Sequence, residues 1–228
     1  MIEWLALILL IPAILVPIVL LFGFAGCSFS HAYPVPPKPT DYTPPGDPDI
    51  LDPDEPPIPE TAFEATLTED EQLANRCIVQ RIEPVRLLKS GNQVRITLQR
   101  PTTGNLVIES ISISHAVDPG SGDPYDSAGD PTLVPGPFPL LLATDPGNAA
   151  VELMPVSFAL DRTKPLLLAF DIDTPGNVRR SATAPGTGVR AFVGPFGLHE
   201  AATGNRQPFI YQSQERTYLV QRIAVREV

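Results

Sequence analysis

Four carboxylates fall within thirteen residues in Asp118-Pro-Gly-Ser-Gly-Asp123-Pro-Tyr-Asp126-Ser-Ala-Gly-Asp130. Oxygen ligands so closely spaced can wrap a hard cation, which makes Asp118, Asp123, Asp126 and Asp130 candidates for a structural calcium ion. Their spacing matches no EF-hand, and aspartates also favour turns by bonding their own backbone, so a solvated loop is the competing reading. For sugar binding the useful groups are loop-borne aromatic faces: Tyr125 inside the acidic loop, Tyr211 and Phe196. Nucleophilic catalysis needs a base held against a hydroxyl or thiol. The histidines are His31, His115 and His199, and His115 follows Ser114 in a strand pattern that points neighbours to opposite faces. No spacing among His115, His199 and Cys77 suggests zinc. Asp171 and Asp173 alternate with Phe170 and Ile172 and are expected as exposed strand-end carboxylates. No catalytic residue, no enzyme activity and no cofactor beyond calcium are expected.

The elements that must position these groups begin with an apolar run at residues 4–26, free of charged side chains and long enough to span a bilayer core of roughly 30 Å as a helix. Pro12 and Pro17 lie inside it and invite kinks. A cleaved signal is disfavoured by the run's length and by Glu3 as the only charge before it. Retention as a helix against lipid, or at the axis of a bundle of like chains, suits its all-round hydrophobicity. Phe24-Ala25-Gly26-Cys27 resembles a lipobox, which implies lipidation at Cys27; phenylalanine stands where leucine is usual, and a basic n-region is missing.

From Pro34 to Pro59 there are 11 prolines in 26 residues, mixed with Asp41, Asp47, Asp49, Asp52, Asp54 and Glu55. That composition forces extended backbone and reads as a spacer, with the PxxP ligand Pro34-Val35-Pro36-Pro37 as its alternative role. The chain therefore divides into a hydrophobic anchor helix (1–28), an acidic spacer (29–62) and one domain (63–228). Two cysteines, Cys27 and Cys77, separated by the spacer, do not suggest an internal disulfide. A formal charge of −10 disfavours nucleic acid as a partner. Arg76, Arg81, Arg86, Lys89, Arg95, Arg100, Arg222 and Arg226 are scattered, as on solvated strand faces.

Within the domain, Thr68 with Glu71 forms a capping-box pattern that predicts one short helix through Asn75. The remainder alternates: Val94, Ile96 and Leu98 against Arg95, Thr97 and Gln99; Ile111 and Ile113 against Ser110, Ser112 and Ser114. Leu166, Leu168, Phe170 and Ile172 form another inward row, and Ile223 with Val225 a terminal strand. Turn signals recur at 90–92, 103–105, 145–148 and 174–177. Short strands at this spacing predict an all-β fold, a single jelly-roll-like β-sandwich.

The order VRITL (94–98), GNLVIESISISHA (104–116) and MPVSFALDRTKPLLLAFDI (154–172) resembles the β-sandwich domain that precedes the catalytic domain in some SGNH/GDSL-type esterases, and related modules of phage tail and virion proteins. The catalytic blocks of those esterases are absent: there is no Gly-Asp-Ser motif and no Gly-x-Ser-x-Gly elbow. The resemblance implies an accessory module without its enzyme. Together these features point to a non-enzymatic structural or adhesion protein of a phage tail or virion, with other copies of itself, neighbouring assembly proteins and a cell-surface glycan as partners. The alternative is a bacterial envelope protein, anchored in the membrane through residues 4–26 or lipidated at Cys27, whose sandwich binds glycan or supports a hydrolase.

Overall fold

A computed structural model describes residues 59–147, 149–182, 188–208 and 210–227. The anchor at residues 4–26, lipidation at Cys27 and the spacer up to residue 58 lie outside them. Among the described residues no helix is long and apolar enough to cross a membrane.

The chain is all-β. Its strands are β1 (Glu60–Glu64), β2 (Glu69–Gln72), β3 (Arg76–Ile82), β4 (Gly91–Gln99) and β5 (Leu106–His115), then β6 (Thr132–Leu133), β7 (Leu140–Leu142), β8 (Ala150–Glu152) and β9 (Val156–Leu160). The long β10 (Leu166–Arg180) follows, then β11 (Val189–Val193), β12 (Gln212–Gln214) and β13 (Val220–Arg226). A five-stranded sheet has the order β1-β13-β4-β8 with β9 also on β4, and an eight-stranded sheet the order β12-β11-β3-β10-β5-β6 with β2 on β10 and β7 on β5. Every pairing is antiparallel. Because β1 begins at Glu60, the folded part starts before residue 63.

The alternation read from sequence builds the core. Val94, Ile96 and Leu98 of β4, Ile223 and Val225 of β13 and Phe63 of β1 share one buried cluster with Ile111, Ile113, Leu166, Leu168, Phe170 and Ile172 of the larger sheet. Each such side chain contributes roughly 1.5–3 kcal/mol by leaving water. The larger sheet is buried on its other face as well, where Leu167 and Ala169 of β10 join Cys77, Val79, Ala116, Tyr125, Phe192 and Ala201 in a second cluster.

Four expectations are corrected. Residues 69–72 form no helix: β2 pairs with Asn177–Arg180 of β10, and the Thr68 hydroxyl accepts the Ala182 N–H at 3.2 Å instead of capping a turn. Arg180 reaches Glu69 and Glu71, each at 2.9 Å, which rewards alternating carboxylates on one strand face. Asp171 is buried, accepting the Ser110 hydroxyl at 2.8 Å and the Ala201 N–H at 3.0 Å. Arg81 is buried too, paired with Glu83 at 2.6 Å and bonded to the Pro124 carbonyl at 2.8 Å. Residues 174–177 do not turn the chain; they lie inside β10 as an irregularity in its register with β5 between Ile172 and Gly176. A side chain at Gly176 would meet the Asp173 carbonyl at 2.9 Å.

Register fixes the two ends of the domain. Glu60 opposes Val225, Val225 opposes Val94, Gly91 opposes Leu160, and a short turn carries Leu160 to Leu166, opposite Ile82. The first strand therefore begins, and the last strand finishes, at the end that holds the β9–β10 turn. The opposite end carries the start of β3 and the turn after β11.

Candidate functional site

Two loops, 116–131 after β5 and 194–211 after β11, meet over the outer face of the larger sheet and bring together residues far apart in sequence. Tyr125 and Tyr211 stack at 4.6 Å between ring centroids, and Phe192 of β11 meets Tyr125 edge-on at 5.3 Å. Tyr125 is only 4% exposed, its hydroxyl 3.0 Å from Asp123 Oδ2, so it is a packing residue of this clasp rather than an open platform. Half-buried Tyr211 donates its hydroxyl to Glu200 Oε2 at 3.0 Å.

The clasp's polar groups satisfy one another. Asp126 Oδ1 accepts the Arg206 N–H and its Oδ2 the Asp123 N–H, both at 2.9 Å. Arg206 is 2% exposed and forms no ion pair among the described residues. Its guanidinium donates to the carbonyls of Tyr125, Glu200 (3.3 Å) and Ala201 (3.4 Å), with Ser127 Oγ at 3.5 Å, so carbonyl dipoles from both loops meet the charge. Ser112 donates to the Ala201 carbonyl, and the Ser114 and Ser127 hydroxyls share a 2.8 Å hydrogen bond. Gly204 sits so close to the 116–131 loop that a Cβ would lie 2.9 Å from the Gly129 carbonyl.

Beneath the loops, burial pushes the Cys77 thiol up to about 12, with the nearby Asp171 charge adding to it, so it stays protonated and is not poised as a nucleophile. Burial also raises Tyr211, as do the neighbouring Cys77 and Glu200. These directions fit a dry, mutually bonded packing site.

The calcium candidates are not assembled here. Asp118 and Asp130 are exposed, Asp123 is half-buried, Asp126 is committed to backbone donors, and no three ligand-type side chains form a metal-holding group among the described residues. Phe196 stands apart, 68% exposed on the turn after β11. That turn is fixed by N–H bonds from Gly194 to the Cys77 carbonyl (2.8 Å) and from Gly197, at φ +83°, to the Asn75 carbonyl (2.7 Å). His199 on the same turn places Nε2 2.6 Å from Asn75 Oδ1 and Nδ1 3.6 Å from Glu109. His115 points away from Ser114, as strand alternation requires. Its Nε2 lies 3.1 Å from both the Asp161 nitrogen and the Ala159 carbonyl, and its Nδ1 3.2 Å from the Pro165 carbonyl.

Two concave features lie elsewhere. One is an apolar groove of about 200 Å³ against Phe138, Leu140, Val151 and Met154. The other is a cleft of about 500 Å³ with charged walls where β1 begins. Sequence reasoning missed Arg206 and Glu200, the two residues that tie the loops, because their partners are mostly backbone carbonyls and one phenol, which leave no spacing signature. No protein-family model matches the chain, and no curated protein does.

Proposed function

We propose that this chain is a non-enzymatic structural or adhesion protein, a jelly-roll-type β-sandwich displayed from a hydrophobic N-terminal tether as part of a phage tail or virion. The observation that carries the reading is polarity along the domain: β1 begins at one end, and a turn pinned by backbone hydrogen bonds presents Phe196 at the other. A tethered module meets its partner at the end remote from the tether, and an exposed aromatic face there suits stacking on a sugar ring of a cell-surface glycan. Supporting it, the side chains best suited to chemistry, Cys77, Asp126, Asp171 and Arg206, are occupied in holding loops to the sheet.

The test is the native mass of the full chain with and without detergent, and its presence in purified particles. A defined oligomer that persists without lipid, found in a particle, is the expected result. A monomer that requires detergent and fractionates with membranes would instead establish the bacterial envelope reading, with residues 4–26 or a lipid on Cys27 as the attachment.

A further inference from the structure

The charged cleft takes its walls from four separate stretches: Glu60 at the start of β1, Arg226 and Glu227 at the close of β13, Lys89 and Ser90 ahead of β4, and Arg162 on the β9–β10 turn. Lys89 neutralises Glu60 at 2.5 Å. Arg162 and Arg226 form no ion pair among the described residues. Arg226 gives one Nη2 bond to Gln93 Oε1 at 2.6 Å, while its buried Nε has no partner. The Arg162 guanidinium makes one long contact, 3.4 Å, to the Leu88 carbonyl. Ser90 Oγ accepts the Arg162 N–H at 3.0 Å, which leaves the hydroxyl proton to donate.

Arg162, Arg226 and Ser90 line one cleft, and two guanidiniums with a hydroxyl are a donor set that recognises oxyanions, since the planar fork of arginine matches two oxygens at once. Glu227 is exposed at the same cleft and repels a polyanion, so the charge accommodated is small. We propose that this cleft binds the carboxylate side chains of an extended acidic peptide through Arg162, Arg226 and Ser90. Such a peptide has two sources: the run Asp52-Pro53-Asp54-Glu55 of this chain, which precedes Glu60 by five to eight residues, or an acidic stretch on another molecule. The proposal does not rest on the virion reading.

The test titrates the full chain, in neutral detergent, with a fluorescent blocked hexapeptide of sequence Asp-Pro-Asp-Glu-Pro-Pro and follows anisotropy. The expected result is saturable binding that weakens with added salt, drops about tenfold in Arg162→Gln and in Arg226→Gln, and is absent for an Asn/Gln version of the peptide. If the native chain takes up no peptide but the Asp52→Asn, Asp54→Asn, Glu55→Gln chain does, the site holds and its occupant is the chain's own run. Failure of both chains to bind, or wild-type binding by both arginine variants, overturns the proposal. Melting curves accompany each variant, and exposed Arg162 carries the test if Arg226→Gln does not fold.

Discussion

Replacing Arg206 by methionine keeps most of the side-chain volume and removes the donors that join the two loops. The carbonyls of Tyr125, Glu200 and Ala201 lose a charged partner at once; Ala201 keeps the Ser112 hydroxyl and Glu200 the Thr203 N–H, so the Tyr125 carbonyl bears the largest loss. Leaving a buried acceptor unsatisfied costs about 1–3 kcal/mol, and relief from burying a cation offsets the weakening of the other two bonds. A net loss of about 2 kcal/mol follows. At about 3 °C per kcal/mol for a domain of this size, Tm falls by about 6 °C. Thermal melting by circular dichroism measures the total, and hydrogen exchange locates it. Amides that bridge the loops, Ser127 N–H to the Gly204 carbonyl and Arg206 N–H to Asp126, should lose protection before those of β3 and β10. A variant that melts within 1–2 °C of the parent with unchanged protection at those amides would refute the view of Arg206 as the tie between loops.

Asp70 Oδ2 gathers the amides and hydroxyls of Thr102 and Thr103, and Arg179 lies 3.3 Å from Oδ1. Burial alone would raise its pKa, but those donors hold it below the ordinary 3.8. A depressed acid stabilises fully above its unfolded value and ceases to do so as pH falls through the folded one, so urea midpoints should drop below about pH 4. Asp70→Asn should flatten that part of the profile and cost about 2 kcal/mol at pH 7. In a Cys27→Ser chain, Cys77 with its thiol near 12 is about one part in 10⁴ thiolate at pH 8, so iodoacetamide should label it only across the denaturation transition. Labelling of the native protein would contradict the burial argument. Tyr125→Ala should cost about 3 kcal/mol, and Phe196→Ala less than about 0.5 kcal/mol while abolishing retention on immobilised glycan. Equal melting losses for the two would show that Phe196 is a packing residue.

Strands with one wet face were legible in sequence because burial on a single side imposes a period of two: Val94, Ile96 and Leu98 turn inward, with Arg95 on the other face pairing to Glu152. The second buried face of the larger sheet was hidden for the same reason. Ser112, Ser114 and Asp171 are polar, read as solvent-facing, and become buried because loops supply their partners: Ala201 of the later loop for Ser112 and Asp171, and Ser127 of the loop that follows β5 for Ser114. β2 was read as a helix start because Thr68 and Glu71 have capping-box spacing, while the attraction of Arg180 for Glu69 and Glu71 acts across more than a hundred residues. Of the three aromatic candidates, sequence identified Tyr125 and Tyr211 as loop-borne but not that they stack on each other, and it carried no measure of which ring stays outside.

Where β1 begins decides how the domain bears tension. A pull delivered through the backbone at Glu60, resisted by something gripped at the Phe196 end, runs along β1, whose strand partner is β13 and whose Ala62 carbonyl also takes the Leu88 N–H at 2.9 Å. In that geometry the rungs between Glu60 and Glu64 and their partners lie across the pull, so they strain together rather than opening one after another. The sheet edge then yields as a single sheared patch, and the same strand tugged from the Glu64 side outward would unzip. A five-residue strand can thus serve as a mechanical clamp in one direction and a release in the other.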